Sequence, residues 1–279
     1  MPAAELTTRT VLTIKERPHV PLEAELLTPD VVAKLKPDEI RSLPVVLGKR
    51  QRRLDDFFDV DGIGSEDLEI RGDVGRVKLI GRGMTRGRIT IAGNAGMHLG
   101  AYMKGGTIEV NGSAADWAGA EMSGGLIHIH GDAGGQIGAA YRGSLRGMSG
   151  GTILIGGSAG IEVGMRMRRG LIAVKGRARD FVGLQMKGGT IVLMGGAEIR
   201  TGAWMVRGTI ISLTPIRLLP TFSRTCAYIP AILRLYAKHL GEFGFELPVE
   251  SKMGSYQRYV GDTSVPGKGE ILVWKPAGS

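Results

Sequence analysis

A single cysteine, Cys226, stands among 279 residues, which excludes an internal disulfide and leaves no thiolate set for an iron–sulfur cluster or a CxxC redox pair. Aromatic residues amount to only 5% of the chain, too few for a thick globular core or for the stacking platforms of single-strand nucleic-acid binders. No helix-turn-helix, zinc-finger or RNP pattern is present, so nucleic acid is not the expected partner. No stretch reaches the roughly 18 consecutive apolar residues of a membrane span. The opening MPAAELTTRTVLTIKERP lacks the charged start, apolar run and cleavage site of a secretory signal. These absences lead to the expectation of a folded cytoplasmic protein. Acidic residues are also short, 27 against 36 Lys and Arg, and the formal charge of +9 implies an acidic ligand or subunit.

What the chain has in excess is glycine, 45 residues of it, and it is periodic. Gly87, Gly106, Gly125, Gly151, Gly170, Gly189 and Gly208 each open a short apolar segment, at spacings of 19, 19, 26, 19, 19 and 19. The long interval holds a seven-residue insertion within GAAYRGSLRGMSGG, between Gly138 and Met148. Corresponding positions form chemically uniform columns. Ile89, Ile108, Ile127, Ile153, Ile172, Ile191 and Ile210 make one, and Ile91, Val110, Ile129, Ile155, Val174 and Leu193 follow two residues later. Residues two apart share one face of a strand. A further column runs through Met103, Met122, Met148, Met167, Met186 and Met205. Such a repeat predicts a mainly β fold, a right-handed parallel β-helix of about seven coils in which each turn is stabilised by its neighbours. The expected organisation is a cap or docking arm over 1–67, the β-helix over 68–213 and a tail over 214–279.

In the arm, Thr28-Pro29-Asp30 and Pro37-Asp38-Glu39 read as starts of short helices. In the tail, YIPAILRLYAKHLGEF predicts one helix with Ile232, Leu235, Tyr236 and Leu240 as its apolar stripe and Gly241 as its stop. The closing YQRYVGDTSVPGKGEILVWK predicts turns and a strand.

The search for chemistry returns little. GRGMTRGRIT fits neither the phosphate-loop nor the dinucleotide spacing, and its glycines belong to the repeat. His128 and His130 have H-x-H spacing and face outward, but their column neighbours Glu109, Leu154, Ala173 and Val192, with Asn111 and Lys175, offer no clustered third ligand, so they read as surface or interface histidines rather than a metal site. Asp116, Glu121, Asp132, Glu162 and Asp180 occupy loops of different coils without an acid and base pair, and no nucleophile arrangement is found. Cys226 reads as structural. The outstanding feature is basic. Lys104, Arg168 and Lys187 share one column, Arg86, Arg169 and Arg207 the next, and the insertion projects Arg142 and Arg146. This predicts either a solvated polar face or a cradle for an anionic chain or acidic subunit. Outward-facing Leu154, Val192 and Met194 suggest that another protein covers part of the surface.

The units MTRGRITIAGNAGMHLGAYMKGGTIEVNGSAADWAGAEMSGG and MRRGLIAVKGRARDFVGLQMKGGTIVL resemble the GXGXG β-helix shared by the large glutamate synthase subunit and the formylmethanofuran dehydrogenase C-subunit family. The opening LTIKERPHVPLEAELLTPD, the insertion AAYRGSLRGMSGG and the ending RYVGDTSVPGKGEILVW narrow the resemblance to the C subunits of methylotroph formyltransferase/hydrolase complexes. The resemblance implies a role in tetrahydromethanopterin-linked oxidation of one-carbon units. A catalytic amidohydrolase and a formyltransferase would be its partners, and this chain would be a structural subunit with no catalytic or metal residue of its own. It also implies a methanofuran-type carrier shared with those partners, whose polyglutamyl tail would lie on Lys104, Arg168, Arg169, Lys187 and Arg207. A glutamate-synthase-like linking module is the alternative, although amidotransferase and flavin-binding regions are missing from the sequence.

Overall fold

The structure, a computed structural model, describes residues 9–276. The first eight residues of the expected arm and the last three of the tail lie outside the described residues. The arm contributes β1 (Thr10–Ile14), β2 (Leu22–Glu23), the short helices α1 (Pro29–Val32) and α2 (Pro37–Arg41), the hairpin strands β3 (Pro44–Leu47) and β4 (Arg50–Arg53), and β5 (Phe58–Gly62). The repeats follow as β6 (Asp67–Arg71), a short β7 (Val77–Lys78), β8 (Arg88–Ile91), β9 (Thr107–Val110), β10 (Ser123–Ile129), β11 (Ser149–Ile155), β12 (Arg169–Val174), β13 (Lys187–Leu193) and β14 (Arg207–Ser212). Beyond them come β15 (Ser223–Tyr228), α3 (Ile232–Gly241), α4 (Val249–Lys252), β16 (Ser255–Gly261) and β17 (Gly269–Lys275).

Uniform columns produce a uniform ladder. Ile89, Ile108, Ile127, Ile153, Ile172, Ile191 and Ile210 pair in register, each with the next, along the parallel strands β8 to β14. The ladder extends past the repeats at both ends, through β6 to β1 and through β14 to β17, where Ile271 continues the isoleucine column. Antiparallel strands then close it, β5 beyond β1 and β16 followed by β15 beyond β17. A second side of the coil is marked by parallel bridges from Val74 through Ala95, Ala114, Ala133, Ala159 and Ala178 to Ala197. On a third side the Gly119 amide donates to the Leu99 carbonyl of the coil before, and Gly138, Gly164, Gly183 and Gly202 repeat that bond. The chain is thus a parallel β-helix whose backbone groups are satisfied between layers.

The core explains why two glycine columns are needed. At Gly119, which has a φ of +64°, a Cβ would lie 2.5 Å from Cδ1 of Ile153 in a following coil. At Gly106 it would lie 2.5 Å from Cε of Met84 in the preceding coil. Isoleucine and methionine tips therefore fill the spaces that the missing side chains leave, and both columns are fully buried. Close packing of this kind makes a coil intolerant of even one added carbon.

The outward face of β11 to β14 is the other apolar surface. Leu154, Ala173, Val192 and Ile211 point away from the coil interior yet are fully buried beneath Leu233, Ala237 and Leu240 of α3 and the following Phe245 and Leu247. The outward leucine and valine that suggested a second protein are covered by this chain's own tail. The stripe of α3 is also rotated from expectation: Leu233, Ala237 and Leu240 face the sheet, whereas Ile232 and Leu235 are 45% and 64% exposed. Two of the four expected residues, Leu240 and Tyr236, do pack on the sheet, the Tyr236 hydroxyl lying 2.7 Å from Thr190 Oγ1, while Leu233 and Ala237 take the places expected for Ile232 and Leu235.

Candidate functional site

The cationic residues stand where each coil turns into its sheet strand. Arg168 and Lys187 follow the buried Met167 and Met186, and register pairs Lys187 with Arg207 and Ser149 with Arg169. The insertion brings Arg146 over the same turn, and Arg146, Ser149, Arg168, Arg169 and Lys187 line an open cavity of about 480 Å³. Arg166 fastens the loop by donating to the Ser144 carbonyl, and its Nε donates to Gln185 Oε1 at 2.7 Å. On the far side of Lys187 a second hollow is lined by Leu145, Arg166, Gln185, Trp204, Val206 and Val265.

The charges that line this cavity are not balanced by carboxylates. Arg9, Arg41, Arg53, Arg71, Arg82 and Arg258 are each within 3.0 Å of a carboxylate. Among the described residues no carboxylate lies within 4.0 Å of Arg146, Arg168, Arg169, Lys187 or Arg207. Arg168 Nε is buried with no hydrogen-bond partner, an arrangement that costs free energy unless an acceptor is brought to it. The structure separates the other members of the sequence-predicted strip from this group. Lys104 lies three coils away, at Lys104, Ser123, Ser149 and Arg168 in succession, roughly 14 Å along the stack at ~4.8 Å per layer. Arg86 is held by Glu66 at 2.7 Å.

The other end of the insertion meets the few aromatic residues of the coils. The Tyr141 ring stacks on Trp117 at 5.0 Å and its hydroxyl lies 2.9 Å from His98 Nδ1. Burial, helped by Tyr102 and Glu121, pushes the Tyr141 phenol well above its ordinary range, and burial with nearby Lys78 pushes the His98 imidazole down. The five loop carboxylates serve the fold. Asp116, Asp132 and Asp180 accept the amides of Gly135, Ser158 and Ile199, Glu121 accepts that of Tyr141, and Glu162 accepts Gln136 Nε2. Cys226 is exposed on the outermost strand β15 rather than built into the core. The H-x-H pair was expected to lack a clustered third ligand, but its column neighbour Glu109 comes close enough to be one. Glu109 faces His128 across the β9–β10 register, and its Oε1 lies 3.1 Å from His130 Nε2.

Stacked coils with two interlocking glycine columns define a class of parallel β-helix, and residues 72–217 match the GXGXG motif family, to which the chain belongs. Within that class its relatives are formylmethanofuran dehydrogenase C subunits. It is 43% identical over 96 residues to the C subunit of the tungsten-containing formylmethanofuran dehydrogenase 2 of Methanothermobacter thermautotrophicus, covering 33% of this chain and 36% of the relative. It is 47% identical over 92 residues to the C subunit of the molybdenum-containing formylmethanofuran dehydrogenase 1 of Methanothermobacter marburgensis, covering 32% and 23%. The chain thus spans about a third or less of the length of these curated relatives. The structural likeness is more extensive. One chain of the formyltransferase/hydrolase complex (FhcABCD) from Methylorubrum extorquens, whose crystal structure contains methylofuran, superposes with a TM-score of 0.86 at 33% identity, covering 95% of this chain and 100% of that one.

Proposed function

We propose that this chain is the C subunit of a formyltransferase/hydrolase complex acting in tetrahydromethanopterin- and methanofuran-linked oxidation of one-carbon units, as found in methylotrophs. In this reading it holds a catalytic amidohydrolase and a formyltransferase in register and has no reaction centre of its own. The observation that carries the reading is the match over 95% of the chain to a member of such a complex. The exposed Ile232 and Leu235 on the outer side of α3 add an apolar surface of the kind that assembly covers.

The same reading includes a second task, retention of the anionic tail of a methanofuran-type carrier, with the basic cavity as the candidate place for it. The donor set fits such a group: Arg146, Arg168, Arg169 and Lys187 converge on one cavity, and Arg168 Nε has no partner within the chain. Arg207 lies beside Lys187 in the ladder. These side chains would bind carboxylates by charge-assisted hydrogen bonds, while the carrier supplies the amine that accepts and releases the formyl group at the catalytic subunits. This chain's contribution is to bind and tether, with no proton to move.

Two measurements test the reading. Purification of the tagged chain from its native cells should recover an amidohydrolase and a formyltransferase, and the chain alone should neither transfer nor hydrolyse formyl groups. Sustained turnover by the isolated chain would refute the scaffold role. Charge reversal at Arg168, Arg169 and Lys187 together should release the carrier from the assembled complex, whereas Lys104→Glu alone should not. Full retention in the triple variant would reject tail binding.

A further inference from the structure

We infer that Glu109, His128 and His130 form a binding site for one divalent transition-metal ion of the zinc class on the outer face of the β-helix. His128 and His130 sit two residues apart, at and just beyond the end of β10, and therefore project from the same face of the sheet. Glu109 stands on β9 directly across from His128. The three positions make a triangle on the sheet, and their donor atoms all lie within 4.8 Å of one another. Zinc bonds of ~2.0–2.1 Å in tetrahedral geometry place ligand atoms about 3.3 Å apart. The Glu109 Oε1 to His130 Nε2 separation is already 3.1 Å. The two imidazole rings have centroids 4.1 Å apart, so closing the triangle requires rotation of side chains and no movement of strands.

The surroundings leave the donors facing one another. Arg88 on β8 lies 3.6 Å from the other carboxylate oxygen, Oε2, and its charge opposes a second cation, but Oε1 is left on the side of the histidines. On the opposite flank His128 pairs in register with Leu154, which is fully buried under the α3 layer, so one wall of the site is apolar. His130 is open to solvent, its side chain 44% exposed, leaving a fourth position for water. Two imidazoles and a carboxylate suit zinc, whereas a site for magnesium or calcium would be built from oxygen donors. A bound ion would tie β9 to β10 across their ladder.

The test is calorimetric titration of the full chain, stripped with a chelator, with Zn²⁺ alone. One saturable site with micromolar or tighter affinity is expected, weakened at least tenfold in Glu109→Gln and abolished in the double variant His128→Ala/His130→Ala. In NMR spectra, zinc should shift the imidazole resonances of His128 and His130 while sparing His19, His98 and His239. An isotherm unchanged in the double variant, no saturable uptake, or zinc-induced shifts confined to the other histidines would overturn the assignment. The NMR measurement on the unaltered chain decides the matter even where a variant folds poorly.

Discussion

At the scale of single residues, the fold depends on side chains that are absent. Gly119→Ala would place a methyl group 2.5 Å from Ile153 Cδ1 at a φ of +64°. The left-handed conformation costs an alanine about 1 kcal/mol, and overpacking adds about 1–3 kcal/mol. Urea unfolding should therefore show a loss of roughly 2–4 kcal/mol. Ile153→Val removes the obstructing Cδ1, so the double variant should recover part of the loss, and strict additivity of the two changes would contradict the interlock. A different residue controls the junction with the tail. Asp262 is 2% exposed and accepts the amides of Trp204 and Ser264 at 2.8 and 2.9 Å and the Ser264 hydroxyl at 2.7 Å. Burial pushes its pKa up, but these hydrogen bonds outweigh burial and hold it below the ordinary 3.8. A depressed carboxylate stabilises the fold fully above its unfolded pKa and loses that contribution as pH falls through the folded value. Asp262→Asn should accordingly lower the melting temperature near neutral pH while narrowing its fall between about pH 5 and about pH 3, a range spanning the unfolded value. An equal fall in both proteins would show that Asp262 has no such role.

At the scale of elements, the tail helix is bound to the sheet by a few contacts. Leu240 is fully buried between α3 and the β11–β14 face, so Leu240→Ala should cost about 2–5 kcal/mol. Tyr236→Phe should cost about 1 kcal/mol through loss of the bond to Thr190. Leu235→Ala, at an exposed position, should leave thermal stability nearly unchanged, and a large effect there would mean that the helix docks by its other face. These positions also show what the sequence could reveal. The coil was legible because each repeat returns Ile108, Ile127 and Ile153 to one environment, and a pattern repeated seven times leaves little room for misreading. The face of α3 was not legible, because apolar residues lie around both sides of the helix and only the sheet decides between them. The outward Leu154 and Val192 signalled a cover without saying whose. The columns already set Glu109 beside His128, but how near its carboxylate comes to His130 depends on side-chain rotamers that spacing does not reveal. The cationic cavity falls between these cases. Its columns and the insertion that adds Arg146 could be read from the spacing, but the Glu66 carboxylate that holds Arg86 and the unpartnered, buried Arg168 Nε belong to three dimensions.

At the scale of the whole molecule, a stack of identical layers has no internal reason to stop. Its ends present unpaired backbone groups and an exposed cross-section of the core, both of which can recruit another chain. Here β5 closes one end, while β17, β16 and β15 close the other after the ladder has passed beyond β14. The same tail roofs the outer apolar face with α3. Truncation after Leu213 would remove both protections together, baring the β14 edge along Thr209–Ser212 and uncovering Leu154, Val192 and Ile211. The coils before it keep their own interlayer contacts, so far-ultraviolet circular dichroism should still report β structure. Size-exclusion chromatography should show oligomers or aggregates at concentrations where the full chain gives a single species. A truncated chain that stays monodisperse and retains the full chain's melting temperature would mean that the tail is an appendage and that the repeat closes itself.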